Sequence, residues 1–268
     1  MLSLGARTLI MGVVNVTDDS LSGDGLGRDL GVVLARAEAL VAAGADILDV
    51  GGESTRPGAA DVPAAEERAR VEPAIRAIAR RLAVPLSVDT RKPAVAEAAL
   101  AAGASAINDV SGLRHDRGLA ALAARTGAGL VLGHWVRGGA GSADPILAVL
   151  QGLRESVDWA LAAGCAPEQL AVDPGLGFGK PPGASLALLR DLGALRALGF
   201  PLVVGPSRKG FIGRVLGPAE QFGWEGTAAA VALAIAGGAD VVRVHDVTRL
   251  ARVVRMADAI TRVLSNEC

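Results

Sequence analysis

Eight short apolar runs rich in Val and Ile recur along the chain, and each is followed by a longer segment with helical spacing and a polar face. The runs cover residues 8–15, 45–51, 85–89, 106–110, 129–134, 170–174, 201–205 and 241–246. Helices are expected over 30–43, 64–82, 93–102, 118–126, 146–163, 185–198, 209–216 with 225–236, and 248–264. Strands that are apolar without interruption need cover on both faces, and alternating helices supply it around a parallel sheet. Eight such units predict closure into a (β/α)8 barrel of the α/β class, a TIM barrel formed as a single domain over residues 1–268. An open doubly wound sheet would need fewer strands.

Punctuation supports the same unit. Ala43-Gly44-Ala45, Ala102-Gly103-Ala104 and Gly237-Gly238-Ala239 each precede a strand, where a left-handed glycine ends a helix at little cost. Residues AVILMFWYC make up 51% of the chain but aromatics only 3%, so the core must be built from Ala, Val, Leu and Ile. The net charge of -1 offers no basic excess for nucleic acid or an anionic membrane surface. Cys165 and Cys268 do not make a disulfide framework and read as reduced thiols of a cytoplasmic protein. Residues 1–9 lack the pattern of a signal peptide, and no stretch reaches the ~18 apolar residues of a membrane span.

In a barrel of this kind chemistry sits where the strands end. The first strand ends in Asn15, the second carries Asp49, and the third ends in Asp89-Thr90-Arg91. Asn108-Asp109, His134 and Asp173 follow on strands four to six. Ser207-Arg208-Lys209 follows the seventh, and Arg243, His245 and Asp246 lie on the eighth. Acids, Asn, Ser and Thr after a strand are also favoured helix caps; Asp89-Thr90 could be only that, and Asp109 and Asp246 suit a cap or a loop bracket equally. Arg243 and His245 stand two apart and so share a face. A buried cation there needs an anion, and an internal ion pair would account for it without any ligand. Asn15 and Asn108 are amides in strands, where amides are disfavoured and must be satisfied. Two amides and two acids facing one cavity suit a flat heterocycle with several ring nitrogens, an amino group and a carbonyl. The Ser207–Phe211 turn leads into a helix with two cations, a plausible phosphate or carboxylate site. The glycine-rich stretch from Asp173 to Lys180 is a weak signal alone. His134 reads as a core or supporting residue, and the histidines and cysteines are too scattered for zinc.

Taken together these segments resemble the dihydropteroate synthase family. The matches are Ile10–Thr17 with Asp19-Ser20, Gly51–Gly58, Ser87–Thr90, Ile107–Gly112, Asp173–Lys180, Ser207–Phe211 and Arg243–Val247. The resemblance implies a pterin-binding barrel that condenses 4-aminobenzoate with a dihydropterin methyl diphosphate, giving dihydropteroate and diphosphate. By family analogy Asp89, Asn108, Asp173 and Lys209 hold the pterin. Asn15, Arg243 and His245 hold the diphosphate, with Mg²⁺ in contact with Asn15. Mobile loops carrying Asp19, Thr55 and Arg56 close over the site, and Phe178 with Gly210 borders the aminobenzoate. The catalytic set implied is Asp19, Arg56, Asp89, Lys209 and Arg243. A homodimer through the late helices and a role as sulfonamide target are implied in the same way.

Three departures from the family pattern fall here. Leu21 stands where the first loop usually has phenylalanine, Asp24 has moved one place, and Gly133 replaces the methionine before His134, with Trp135 a candidate to fill the space. They concern the aminobenzoate pocket and loop closure, and spare the polar groups for pterin and diphosphate. Two rival readings remain at this level: a methyltetrahydrofolate-dependent methyltransferase, against which the Ser-Arg-Lys and Arg-Val-His segments count, and a non-catalytic pterin-binding homologue.

Overall fold

The computed structural model describes residues 4–17, 25–27, 29–54, 60–136, 144–218 and 223–262. Eight parallel strands alternate with helices: β1 (Leu9–Asn15), α1 (Leu30–Ala42), β2 (Ile47–Gly51), α2 (Ala64–Arg81), β3 (Leu86–Asp89), α3 (Pro93–Ala102), β4 (Ala106–Asp109), α4 (Gly118–Thr126) and β5 (Gly129–Gly133). Then come α5 (Pro145–Ala162), β6 (Leu170–Asp173), α6 (Pro182–Arg190), β7 (Val203–Val204), α7 (Gly210–Leu216), α8 (Trp224–Ala236), β8 (Val241–Val244) and α9 (Val247–Thr261). The strand order is β6-β5-β4-β3-β2-β1-β8-β7, and a parallel bridge from Val172 to Leu202 joins the two ends into a ring.

Local chemistry explains most boundaries. Gly44, Gly103 and Gly238 take positive φ. The residue after each donates to the carbonyl five back: Ala45 to Leu40, Ala104 to Ala99 and Ala239 to Ala234. Asp29, Asp144 and Asp246 cap α1, α5 and α9 through their carboxylates. Two elements differ from expectation. The seventh strand shrinks to two residues because Pro201 and Pro206 bracket it and withhold N–H groups from the ladder. The helix expected over 185–198 starts earlier, at Pro182, and breaks after Arg190 into a 3-10 segment, Leu192–Leu198. Asp191 leaves helical geometry there, and Gly193 weakens a continuous helix.

Side chains alternate across each strand. Outward positions such as Ile10, Leu48, Val50, Val88 and Val242 pack under the helices in one large core. Inward positions Leu9, Met11, Ile47, Val131, Val203 and Val241, with Ala171, form a separate apolar plug inside the barrel. Two residues further along the same inward faces, the side chains become polar: Ile47 gives way to Asp49, Ala171 to Asp173 and Val241 to Arg243. One period of the strand separates floor from chemistry.

Candidate active site

The cleft above the apolar plug, with about 380 Å³ of space including its open mouth, is lined by Asp89, Asn108, Val110, Gly133, Asp173, Gly205 and Arg243 from the barrel strands and their ends. Gly175, Leu176, Phe178 and Lys209 from two loops complete it. Asn108, Arg243 and Asp89 are linked through Asp49, whose side chain is 0% exposed. Asp49 Oδ2 accepts from Arg243 Nε at 2.6 Å and from Asn108 Nδ2 at 2.9 Å. Arg243 Nη2 reaches Asp89 Oδ2 at 2.7 Å. Because Asn108 spends one amide N–H on a buried carboxylate, its carbonyl oxygen and its second N–H are the groups left for a ligand.

Electrostatics follow from this packing. Burial, with the Asp49 and Glu67 carboxylates, pushes the Asp89 carboxyl up to about 7, against the pull of Arg243 and Lys209. Burial opposes the charge on Arg243, but Asp49, Asp89 and Asp173 more than offset it and hold its pKa above the ordinary arginine range. Burial also raises Asp173, although the Gly175 N–H at 2.7 Å and nearby Lys209 favour its ionised form. His134 is buried and pushed down to about 3, first by burial and then by Lys180 and Arg114, so it is neutral.

Sequence-expected residues divide into three sets. Asp89, Asn108, Asp173, Phe178, Lys209 and Arg243 converge on the cleft. Asn15, Gly210 and His245 follow or end barrel strands but are not among the residues that line the cleft. Asn15 ends β1, Gly210 opens α7, and the His245 ring pairs with Ser207 Oγ at 3.0 Å. Asp19, Thr55 and Arg56, like Leu21 and Asp24, lie outside the described residues. Asp109 and Asp246 are structural. Asp109 accepts from the N–H groups of Ser111 and Leu113, and Asp246 caps α9. Asp89 is not a cap, and the internal ion pair at Arg243 and the ligand-facing cleft are one arrangement.

The model of the family described as pterin binding enzyme matches residues 11–245. A dihydropteroate synthase of Synechocystis is 44% identical over 268 residues, covering 96% of this chain and 92% of its own. The chain belongs to the dihydropteroate synthase family. A Bacillus subtilis dihydropteroate synthase is also 44% identical, across 97% of this chain and 90% of its own. Among solved structures, a Clostridium difficile dihydropteroate synthase crystallised in the presence of pteroic acid superposes with a TM-score of 0.92 at 41% identity, over 98% of this chain and 100% of that one. A Xanthomonas albilineans dihydropteroate synthase with 4-aminobenzoic acid gives 0.89 at 40% identity, over 96% and 94%.

Against that family pattern, Gly133 has a local explanation. A Cβ there would stand 2.6–2.8 Å from the backbone of Val110, which occupies the space and itself lines the cleft. Val110 and Leu176 therefore supply apolar wall, whereas Trp135 does not line the cleft as suggested. Its ring packs against Phe178, with centroids 6.1 Å apart, and lies under the Arg91 guanidinium at 5.6 Å. Arg91 pairs with Glu53 and with the exposed Asp61, and Lys92 with Glu53 and Glu67, an ionic seam at the root of the second loop whose other members are buried. Asp49 and Lys180 are the residues of the site that sequence reasoning left aside. For Asp49 the available signal was its inward position two residues above Ile47.

Proposed function

We propose that this chain is an active dihydropteroate synthase in which the described residues bind, orient and polarise both substrates. The observation that carries the reading is the hydrogen-bonding polarity of the cleft. The carboxylates of Asp89 and Asp173 and the carbonyl of Asn108 offer acceptors, and Lys209 offers a donor. An aminopyrimidinone edge presents the complement, with amino and ring N–H donors beside a carbonyl acceptor. The flat ring would rest between Val110 and Leu176 on one side and the Arg243 side chain on the other. Arg243 commits Nε and Nη2 to carboxylates, which leaves Nη1 for the diphosphate, with His245 two residues further on.

Condensation forms a bond from the arylamine nitrogen to the pterin methylene carbon as the bond from that carbon to the diphosphate oxygen breaks. The amine proton leaves to solvent. The arylamine is neutral near pH 7, so no strong base is needed to free its lone pair. Positive charge that develops on the methylene is shared with the pterin ring, where the Asp89 and Asp173 carboxylates stabilise it by their field. Orientation of the two substrates supplies much of the rest. Phe178 and Gly210 would border the aminobenzoate, and sulfonamides that mimic it would compete there. Loop residues Asp19, Thr55 and Arg56 would close over the mouth and exclude water.

Mg²⁺ fits at Asn15. The side-chain amide is half-buried at the strand end, and no described residue hydrogen-bonds to it. Among the described residues no group of three His, Cys, Asp or Glu side chains could hold a metal by itself. The ion would therefore take its remaining ligands from diphosphate and water, as magnesium commonly does. When bound it would neutralise charge on the departing diphosphate.

A second copy of the chain is the expected partner. Of the exposed large apolar side chains among the described residues, Val215, Leu216, Trp224, Leu233, Met256 and Ile260 all lie on α7, α8 and α9. No described helix is long and apolar enough to cross a membrane, and the cytoplasm is the compartment proposed. The deciding experiment is diphosphate release by the purified protein with Mg²⁺ and the pterin diphosphate, with 4-aminobenzoate present or omitted. Release that depends on the amine, with dihydropteroate formed, is expected. Tight binding of the pterin diphosphate without product would mean a homologue that has lost the aminobenzoate half.

A further inference from the structure

Only three of the 27 Lys and Arg residues are lysines: Lys92, Lys180 and Lys209. All three stand at the mouth of the barrel. Lys209 lines the cleft and Lys92 sits in the ionic seam behind Glu53. Lys180 is bound differently. Its Nζ donates to three backbone carbonyls, of His134 at 2.5 Å, Gly175 at 2.9 Å and Phe178 at 3.4 Å. Two of these belong to the glycine-rich loop after β6 and one to the segment after β5, so a single side chain bridges both.

The two segments are pressed together around it. Gly175 and Gly179 have φ of +66° and +64°, and a Cβ on either would collide with a carbonyl oxygen, of His134 or of Val136. The Val136 N–H points back to the Phe178 carbonyl at 3.5 Å. Phe178 is the side chain this seam delivers to the cleft. Its ring packs on Trp135 and carries the Lys209 ammonium 4.0 Å above its centroid.

We propose that Lys180 is a positioning residue for the arylamine half of the site: its side chain clamps residues 174–180 onto 134–136 and so fixes Phe178 beneath Lys209. The kinetic arm of this inference rests on the synthase reading above. Three carbonyls need three N–H groups, which an ammonium has and an amine does not. The ionisable groups facing Lys180 are Asp173 on β6, Lys209 after β7 and His134 after β5. Burial lowers the Lys180 pKa to about 7, with Asp173 opposing and Lys209 adding to the shift. The clamp is therefore complete below neutrality and loses a donor as pH rises.

The test is Lys180→Met, assayed at saturating pterin diphosphate while 4-aminobenzoate is varied across pH. The carboxylate of this substrate stays ionised throughout the range. For the unsubstituted protein, KM for the amine should rise with pH. In the variant it should be raised about tenfold at low pH and no longer respond to pH. Affinity for the pterin diphosphate should change less than KM for the amine, because Asp89, Asn108 and Arg243 stand on other strands and only Asp173 and Lys209 face Lys180. A variant with an unchanged amine KM and an unchanged pH profile would overturn the clamp. A readout independent of turnover is amide hydrogen exchange at Val136 and Phe178. It should quicken about tenfold in the variant and, for the unsubstituted protein, with rising pH beyond the intrinsic base-catalysed trend. Exchange that follows the intrinsic trend alone would refute the clamp even if no dihydropteroate forms, an outcome that would instead refute the synthase reading. If the variant does not fold, the unsubstituted protein labelled with ¹³C at lysine Cε decides, since three signals cover every lysine. Coincidence of one titration midpoint with the midpoint of the exchange change is expected, and no titration below about pH 9 would sink the inference.

Discussion

Asp49 touches no ligand position, yet its carboxylate decides what two of its neighbours can offer. It holds one N–H of the Asn108 amide and the Nε of Arg243, and so fixes how both side chains are presented. Asp49→Asn would free the Asn108 amide to turn over. Calorimetric titration with the pterin diphosphate should then show affinity lowered by about one to two powers of ten. Arg243→Ala and Lys209→Ala should both abolish synthesis, but they differ in a second measurement. Removal of Arg243 leaves the buried Asp49 carboxylate without its counter-charge, at about 3–5 kcal/mol, so the melting temperature should fall sharply. Lys209 faces the Asp89 and Asp173 carboxylates across the cleft, and its removal should be read first as lost affinity for the pterin diphosphate. Asp89 sets a pH dependence. Its carboxyl, near 3.8 in an unfolded chain, lies at about 7 here, so its contribution to stability is full below about 3.8 and is lost as pH rises through about 7. Ligand donors favour the ionised form. Affinity for a dihydropterin lacking the diphosphate should thus increase as pH rises through 7, and Asp89→Asn should flatten the curve. Asp89, Asn108, Asp173 and Arg243 were legible in the sequence because each is polar where a strand should be apolar. Asp49 was equally visible, but its role depends on which neighbours the barrel brings to it, and spacing along one strand does not contain that. Gly133 looked like a missing contact, and only the backbone of Val110 explains why nothing larger fits.

Among the elements, α9 ties the end of the chain to its first strand. Asp258 accepts from Thr8 N at 2.9 Å and Thr8 Oγ1 at 2.7 Å, both buried. Asp258→Ala should therefore cost about 2–3 kcal/mol and lower Tm by about 5–10 °C, read by calorimetry, with KM values unaffected. Loss of activity without loss of stability would contradict that assignment. Helix ends were legible where glycine stops them, at Gly44, Gly103 and Gly238, because a left-handed residue is a local requirement. The break after Arg190 was not, since Leu188, Leu189, Leu192 and Leu195 keep nearly helical spacing across it and all reach the core. Periodicity reports which residues face inward, and both an α-helix and a 3-10 turn can satisfy that.

For the molecule as a whole, eight strand signals in order were enough to indicate a barrel, because each unit repeats the same need for cover on both sides. Closure itself is a long-range event, resting at the last seam on the Val172–Leu202 bridge. The apolar side chains on α7–α9 belong to this scale too. Light scattering should give twice the 27.0 kDa of one chain, and Ile260→Asp with Met256→Asp should halve it. A chain that elutes as one copy without either substitution would remove the second copy as partner.

The placing of the three lysines has a consequence for handling the protein. An amine-directed reagent, whether a crosslinker, a fluorescent ester or an activated resin, finds lysine targets only at the barrel mouth. Attachment through any lysine would block or distort the catalytic end, while the arginine-studded outer helices would stay unlabelled. Immobilised or tagged forms should be joined through an introduced thiol on an outer helix.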